Sequence, residues 1–298
     1  MNILITGATG YIGSNLVRKL LNLNHDISIV NQVNTRIPFK NIWGNKLSIY
    51  IYDGTISSLE VPFNQNEYDV VIHIASLVIR EHQKNDIDGL VTSNILFGTQ
   101  LLEVMRNFGA RNFINTGTYW QHYKNEFYNP VNLYAATKKA FEDILKYYFE
   151  AYQMNILTLE LFDNYGPLDN RKKLLSLLRD AIRRDENIAV TQGEQELVFV
   201  HIDDVVNAYI TAIKLILEIE INPQFNIYAV RDKMRIKLND LFKMVESLSD
   251  KKLKVDIGGR EYAVREVMQA YEIIPILPNW EPKIPLATGL KEYLNEKE

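Results

Sequence analysis

The chain has 298 residues, 47% of them hydrophobic, with 33 lysines and arginines against 37 aspartates and glutamates and a formal net charge of -4. That is enough apolar material for one large domain, or one domain with a smaller annex. The absence of cysteine excludes disulfides, thiolate nucleophiles and cysteine metal ligands. Basic clusters such as Arg171 to Lys173 and Arg183-Arg184 are small and answered by nearby acids, which argues against a nucleic-acid partner. The start carries no basic region before its apolar stretch, and the apolar run 70–79 is broken by His73 and too short to span a bilayer. The expectation is a cytoplasmic chain with no membrane partner.

Residues 2–6 form a short apolar strand candidate, followed by three glycines and the helical spacing Ile12, Leu16, Leu20 and Leu21. Further strands are predicted at 26–30, 47–52, 68–75, 112–116 and 156–161, and crossover helices at 93–108 and 135–152. Continuous rather than alternating apolarity in these strands predicts a parallel sheet covered on both faces, an α/β doubly wound fold. After Asn164 the pattern changes. Gly166-Pro167 breaks the chain, a helix is predicted at 174–184, a strand near 188–191, and a helix at 203–219 with Asp203 favouring its N-terminus. The remainder, with a helix at 238–248, the Gly258-Gly259 turn and a proline-rich NWEPKIP, predicts a smaller mixed lobe. The expected division is a core over 1–165 and a C-terminal lobe over 166–298, with part of 197–230 returning to the core.

Gly7, Gly10 and Gly13 stand in GATGYIG directly after the first strand, where they supply a tight turn, room for a pyrophosphate and close packing of helix on strand. Together with Thr9, Tyr11 and Ile12 they predict a Rossmann-type dinucleotide site, with phosphates facing the helix N-terminus. The second strand ends in Val30-Asn31-Gln32, where NAD-binding folds often place an acid on the ribose. Neutral Asn31, with Arg36 or Arg18 as cation, favours NADP over NAD. Asp53, followed by Gly54, is an adenine contact or a turn-capping aspartate.

Tyr134 and Lys138 in YAATK lie four residues apart, hence on one helix face. An ammonium there favours phenolate and is expected to lower the tyrosine pKa toward the working range, while its other hydrogens hold the nicotinamide ribose. Thr116 and Thr118 in NTGTYW fall at the carboxyl edge of the fifth strand, where a hydroxyl reaches a substrate carbonyl.

GATGYIG, Asp53, HIAS at 73–76, Asn94 with Gly98-Thr99, NTGTYW, YAATK, DNYGP at 163–167 and HIDDVVNAY at 201–209 together resemble the extended short-chain dehydrogenase/reductase family, in its nucleotide-sugar branch. Within that branch FINTGTYW, NLYAATK and GEQELVFVHIDDVVNAY are most similar to the CDP-abequose synthase group of 4-keto sugar reductases. The resemblance implies a dinucleotide held by Gly7, Gly10, Gly13, Asp53, Ile74, Ala75, Ser76 and Asn94. It implies Thr116 as catalytic hydroxyl, Tyr134 as general acid and Lys138 as ribose anchor, with Thr118, Asp163, Asn164 and Arg260 on the substrate side and a homodimer formed through helices bearing Ile95, Leu102, Phe141, Leu145 and Phe149.

The departures narrow the chemistry. Gly117-Thr118 stands where dehydratases of the family carry Asp-Glu, so water elimination lacks its acid and base. Glu160 replaces an arginine that commonly precedes the Asp163 position, and Leu197-Val198 replaces an Arg-Asp pair, leaving Arg171, Arg231, Arg260 or Arg265 to meet a diphosphate. The expected activity is NAD(P)H-dependent reduction of a nucleotide-linked 4-keto-6-deoxy or 4-keto-3,6-dideoxy sugar, with a 4-epimerase on retained NAD as the alternative and a non-catalytic dinucleotide-binding regulator behind both. Five histidines, at 25, 73, 82, 122 and 201, form no HExxH-type pair, so no metal site is expected.

Overall fold

The computed structural model describes residues 1–33, 46–219 and 222–296. The predicted cofactor residue Arg36 lies outside them. The chain alternates strand and helix: β1 (Asn2–Thr6), α1 (Tyr11–Asn22), β2 (Asp26–Gln32), β3 (Leu47–Tyr52), α2 (Ile56–Gln65), β4 (Val70–His73), α3 (Ile87–Val91), α4 (Phe97–Phe108), β5 (Asn112–Thr118), α5 (Leu133–Tyr152) and β6 (Asn155–Leu161). A second series follows, with β7 (Asp163–Tyr165), α6 (Leu174–Arg184), β8 (Asn187–Val190), β9 (Glu196–Leu197), β10 (Phe199–His201), α7 (Ile202–Leu217), β11 (Phe225–Val230), β12 (Ile236–Lys237), α8 (Leu238–Ser249), β13 (Lys254–Ile257) and α9 (Leu286–Asn295).

Seven strands form one parallel sheet in the order β11-β6-β5-β4-β1-β2-β3, the reversal of direction falling between β1 and β4. This is a Rossmann-type doubly wound sheet, and such sheets bind ligands beyond their carboxyl edge at that reversal. Alternation along β1 shows why its apolarity is continuous: Ile3 and Ile5 pack in the cluster under α1 and α7, whereas Leu4 packs with Phe97, Leu101, Phe113, Phe141 and Leu145 on the opposite face. Each such side chain contributes roughly 1.5–3 kcal/mol by leaving water. The smaller lobe has its own core, where Leu178, Leu241, Val245 and Leu290 pack around three two-stranded pairings, β10-β7, β12-β9 and β13-β8.

Two elements depart from the sequence pattern. Helix α2 carries Pro62 in its interior, a residue that argues against a helix, yet Thr55 caps its start by accepting a hydrogen bond from the Ser58 amide and Pro62 itself is buried. Leu102, Phe141 and Leu145, expected at a dimer contact, are fully buried against the chain's own sheet. Those three side chains are core. Among the described residues no helix is long and apolar enough to cross a membrane.

Candidate active site

A groove of about 1730 Å³ runs along the carboxyl edge of the sheet and between the sheet and the smaller lobe. Its floor begins at the β1–α1 turn. Gly7 adopts φ +73°, and a Cβ there would lie 2.5 Å from the Ala75 amide nitrogen; at Gly13 a Cβ would lie 2.1 Å from the Gly7 carbonyl oxygen. Only glycine fits either position. Helix α1 starts at Gly10 with no side-chain cap and no acid in its first turn, leaving its amides directed at the groove as an anion cradle. Thr9, Gly10, Tyr11, Ile12, Asn31, Ile74, Ala75 and Ser76 also line it. Asn31 is buried and lines the groove with its Nδ2 unpartnered, a donor free for a ligand. A nicotinamide dinucleotide fits these residues.

Other sequence-predicted contacts make hydrogen bonds within the protein. Asp53 and Gly54 lie outside the groove lining, and Asp53 accepts hydrogen bonds from the Thr55 amide at 2.9 Å and hydroxyl at 2.6 Å, which hold its carboxyl below the usual range. Both bonds fall on Oδ1, so Asp53 caps this turn with one carboxylate oxygen. Asn94 sits in a π-helical turn between α3 and α4, where its Oδ1 accepts from Ser76 Oγ and the Leu77 amide and its Nδ2 donates to the Leu77 carbonyl and Thr137 Oγ1. Every polar valence is taken by protein, so Asn94 ties the β4 loop to α5. His73 is likewise internal, bonded to Thr6 Oγ1 at 2.8 Å.

Helix α5 is started by Asn132, whose side chain accepts from the Ala135 amide at 2.9 Å, and this sets Tyr134 at the groove and Lys138 one turn deeper. The ammonium of Lys138 is buried without a hydrogen-bond partner, and burial pushes its pKa down to about 8. Burial also pushes the Tyr134 phenol up to about 12, with hydrogen bonding by Ser76 and Thr118 partly opposing the rise. In the ligand-free protein burial thus dominates both groups, each moved toward its neutral form.

The two threonines of β5 separate. Thr116 Oγ1 shares a hydrogen bond of 2.7 Å with Tyr209 of α7, whereas Thr118 Oγ1 accepts from the Trp120 amide at 3.4 Å and its side chain works against the burial-driven rise of the Tyr134 phenol. The resemblance implies Thr116 as the catalytic hydroxyl; both threonines line the groove, Thr116 engaged by Tyr209 and Thr118 acting on the phenol's titration. Tyr119-Trp120 follow it, so carboxylates for water elimination are again missing. Trp120 meets Tyr134 edge to face with centroids 6.3 Å apart, and Tyr119 donates to Asp163 Oδ2 at 3.0 Å.

Across the groove the cations missed or left open by the sequence come together. Lys173, at the N-terminus of α6, lines the groove beside Arg171 and Lys172, and burial lowers its pKa against the opposing charge of Asp163. Its sequence signal was the Arg171 to Lys173 cluster, set aside as small and answered by acids. Arg171 is held by Asp169 and by Asn164, whose Oδ1 accepts from it at 2.8 Å, and it lies over the Tyr11 ring at 4.3 Å. Asn164 thus acts through Arg171. Arg260 and Arg265 also line the groove, Arg260 within 3.6 Å of Glu81, while Arg231 lies outside the groove lining near Glu272. Among the described residues no group of acids and histidines could hold a metal ion.

The NAD dependent epimerase/dehydratase family model matches residues 3–227. A CDP-abequose synthase of Salmonella muenchen is 25% identical over 99% of this chain and 98% of the relative, and a UDP-glucuronate 4-epimerase of Thermodesulfobacterium geofontis is 27% identical over 98% and 94%. The solved UDP-glucuronic acid 4-epimerase of Bacillus cereus, in complex with UDP-glucuronic acid and NAD, has a TM-score of 0.85 at 24% identity and covers 99% of this chain and 98% of its own. With the glycine cradle, the Tyr134–Lys138 pair and the family match spanning both, the chain is an enzyme of the NAD dependent epimerase/dehydratase family.

Proposed function

We propose that this enzyme carries out oxidoreduction at C4 of the hexose of a nucleotide sugar. The observation that carries the reading is the convergence of Thr118, Ser76 and Tyr134 on one wall of a groove whose floor is the glycine cradle and whose far wall presents Lys173, Arg171 and Arg260. The dinucleotide, when bound, supplies or accepts the hydride. Tyr134 moves the proton at the C4 oxygen, Thr118 donates a hydrogen bond to the same oxygen, and Lys138 holds ribose hydroxyls with the ammonium that has no protein partner. Lys173 and Arg171 meet the diphosphate, and Trp120 excludes water from the reacting carbon.

Two uses of this centre are distinguished by what happens to the dinucleotide. Epimerisation at C4 on a retained dinucleotide draws support from the 4-epimerases among the relatives and structural neighbours, and the NAD of the Bacillus cereus structure makes NAD the first cofactor to test. Net reduction of a 4-keto-6-deoxy or 4-keto-3,6-dideoxy sugar, the first expectation from sequence, is supported by the CDP-abequose synthases matched over 90–99% of this chain. Neutral Asn31 is the reason to test NADP beside NAD.

The deciding experiment incubates the protein with NAD, NADH, NADP or NADPH and a panel of CDP-, UDP-, dTDP- and GDP-linked hexoses and 4-keto sugars, following reduced-cofactor absorbance and sugar products together. Interconversion of C4 epimers without net oxidation or reduction selects the epimerase. Stoichiometric oxidation of reduced cofactor with loss of the ketone selects the reductase. Absence of both, with dinucleotide binding verified by calorimetry, overturns the C4 chemistry.

A further inference from the structure

Behind the wall that carries Thr118, the proposed chemistry leaves a cluster of buried ionisable and amide groups unused. Glu160 of β6 is fully buried. Its Oε1 is 2.7 Å from His122 Nε2 and accepts from Gln121 Nε2 at 3.4 Å; the same Gln121 nitrogen donates to Glu142 Oε2 of α5 at 2.9 Å, and Glu142 is ion-paired to Lys139. All five side chains are buried. At its other end Gln121 accepts the Thr118 amide proton at 3.1 Å. The chain makes room for this arrangement at Gly117, where a Cβ would lie 3.0 Å from Glu160 Cγ and 3.2 Å from Gln121 Oε1.

A column of rings closes the same structure from the other side. His122 stacks on Tyr271 with centroids 4.3 Å apart and planes within 1°; Tyr271 faces Phe162 at 6.5 Å, and Phe162 stacks on Tyr119 at 4.5 Å. Tyr119 and His122 belong to one short turn after β5. The turn is therefore pinned at both ends by rings and in its middle by the carboxylate-amide cluster, and it contains the amide that fixes Thr118 and the two aromatics, Tyr119 and Trp120, that wall the reacting carbon.

We propose that Glu160, acting through Gln121 and His122, is a positioning residue that holds the 118–122 turn, and with it the Thr118 hydroxyl, in register with Tyr134. A carboxylate serves because one oxygen receives both the amide of Gln121 and the imidazole of His122, a role that a donor-only side chain could not fill. The cluster acts as a unit, so loss of its central acceptor loosens the turn.

The inference rests on the C4 chemistry for its kinetic test alone. Glu160→Leu removes the acceptor at similar volume, and Glu160→Gln keeps one oxygen in place. In the leucine variant kcat falls about tenfold with KM for the nucleotide sugar and dinucleotide affinity within about twofold of wild type, and glutamine restores most of the loss. Hydrogen exchange measured by mass spectrometry on the dinucleotide-bound protein accelerates in the peptide spanning 116–124 of the leucine variant, while peptides of β1 and α1 are unchanged. Where Glu160→Leu does not fold, Gln121→Leu breaks the same link at the Thr118 amide and is read identically. Wild-type exchange at 116–124 in a folded variant overturns the positioning role whatever the substrate is. So does a rise in KM or dinucleotide Kd at unchanged kcat. An inactive wild type overturns the C4 reading instead and leaves the exchange result to judge Glu160.

Discussion

Replacing Lys138 by methionine is expected to make the ligand-free enzyme more stable while making it a poor enzyme. The lysine is 2% exposed, its ammonium has no hydrogen-bond partner, and the nearest compensation is the face of Phe141 at 5.9 Å. Burial lowers its pKa from 10.5 to about 8, with Glu142 only partly opposing the fall. At about 1.4 kcal/mol per pKa unit, that shift is about 3 kcal/mol of destabilisation when the lysine is charged. For a chain of this length the unfolding entropy is on the order of 0.6 kcal/mol/K, so removing the charge raises Tm by about 5 °C at pH 7. The pH dependence has a fixed sign. Between about 8 and 10.5 the unfolded lysine keeps a proton that the folded one has lost, so wild-type stability rises relative to the variant across that interval and the gap closes. Calorimetric unfolding of both proteins from pH 7 to 10 measures this directly. A Lys138→Met protein less stable than wild type at pH 7, or a gap that does not shrink with rising pH, refutes the reasoning.

Thr118→Val should lower kcat by about one to two orders of magnitude with little change in Tm, because it deletes a hydrogen bond aimed at the reacting oxygen. Thr116→Val should instead cost about 1–3 kcal/mol of stability by leaving the Tyr209 hydroxyl buried and unpaired, with kcat less affected; denaturant unfolding and steady-state kinetics on the pair separate the roles. Gly13→Ala drives a methyl into the Gly7 carbonyl and the Ala8 backbone, so it should destabilise by about 2 kcal/mol or more and abolish dinucleotide binding in a calorimetric titration. Lys173→Met should raise KM for the nucleotide sugar at least about tenfold while dinucleotide affinity, measured by fluorescence titration, is unchanged.

The sheet was legible because burial on both faces leaves a direct mark in sequence: a strand such as Ile3-Leu4-Ile5 feeds two cores and cannot alternate polar with apolar. The cradle was legible because a turn that admits no Cβ at Gly7 or Gly13 forces glycine at fixed spacing. The β5 threonines were not separable in this way. Residues two apart on a strand share a face, so Thr116 and Thr118 carry identical local signals. What divides them is Tyr209, which arrives from α7 93 residues later and occupies the Thr116 hydroxyl. Lys173 was obscured for a related reason. A basic run with acids nearby has the sequence of a solvated surface, and only the docking of α6 against the groove turns one of its lysines inward.

The YAATK spacing makes a subtler point about the catalytic pair. Four-residue spacing guarantees that Tyr134 and Lys138 share a helix face, but a shared face also means a shared environment, and here that environment is the interior. Desolvation moves an acid and a base in opposite directions along the pH scale, each toward its neutral form, so the pair is driven to neutral phenol and weakly held ammonium before either can act on the other. The motif therefore encodes proximity without encoding charge. Groups whose folded state disfavours their ionised forms are ready to pair with whatever brings hydroxyls and charge into the groove, and the strain on Lys138 is free energy that a ribose bound against the ammonium can relieve. On this argument the instability of the resting site and its affinity for a dinucleotide have one physical origin, which is why a substitution that removes the first is expected to weaken the second.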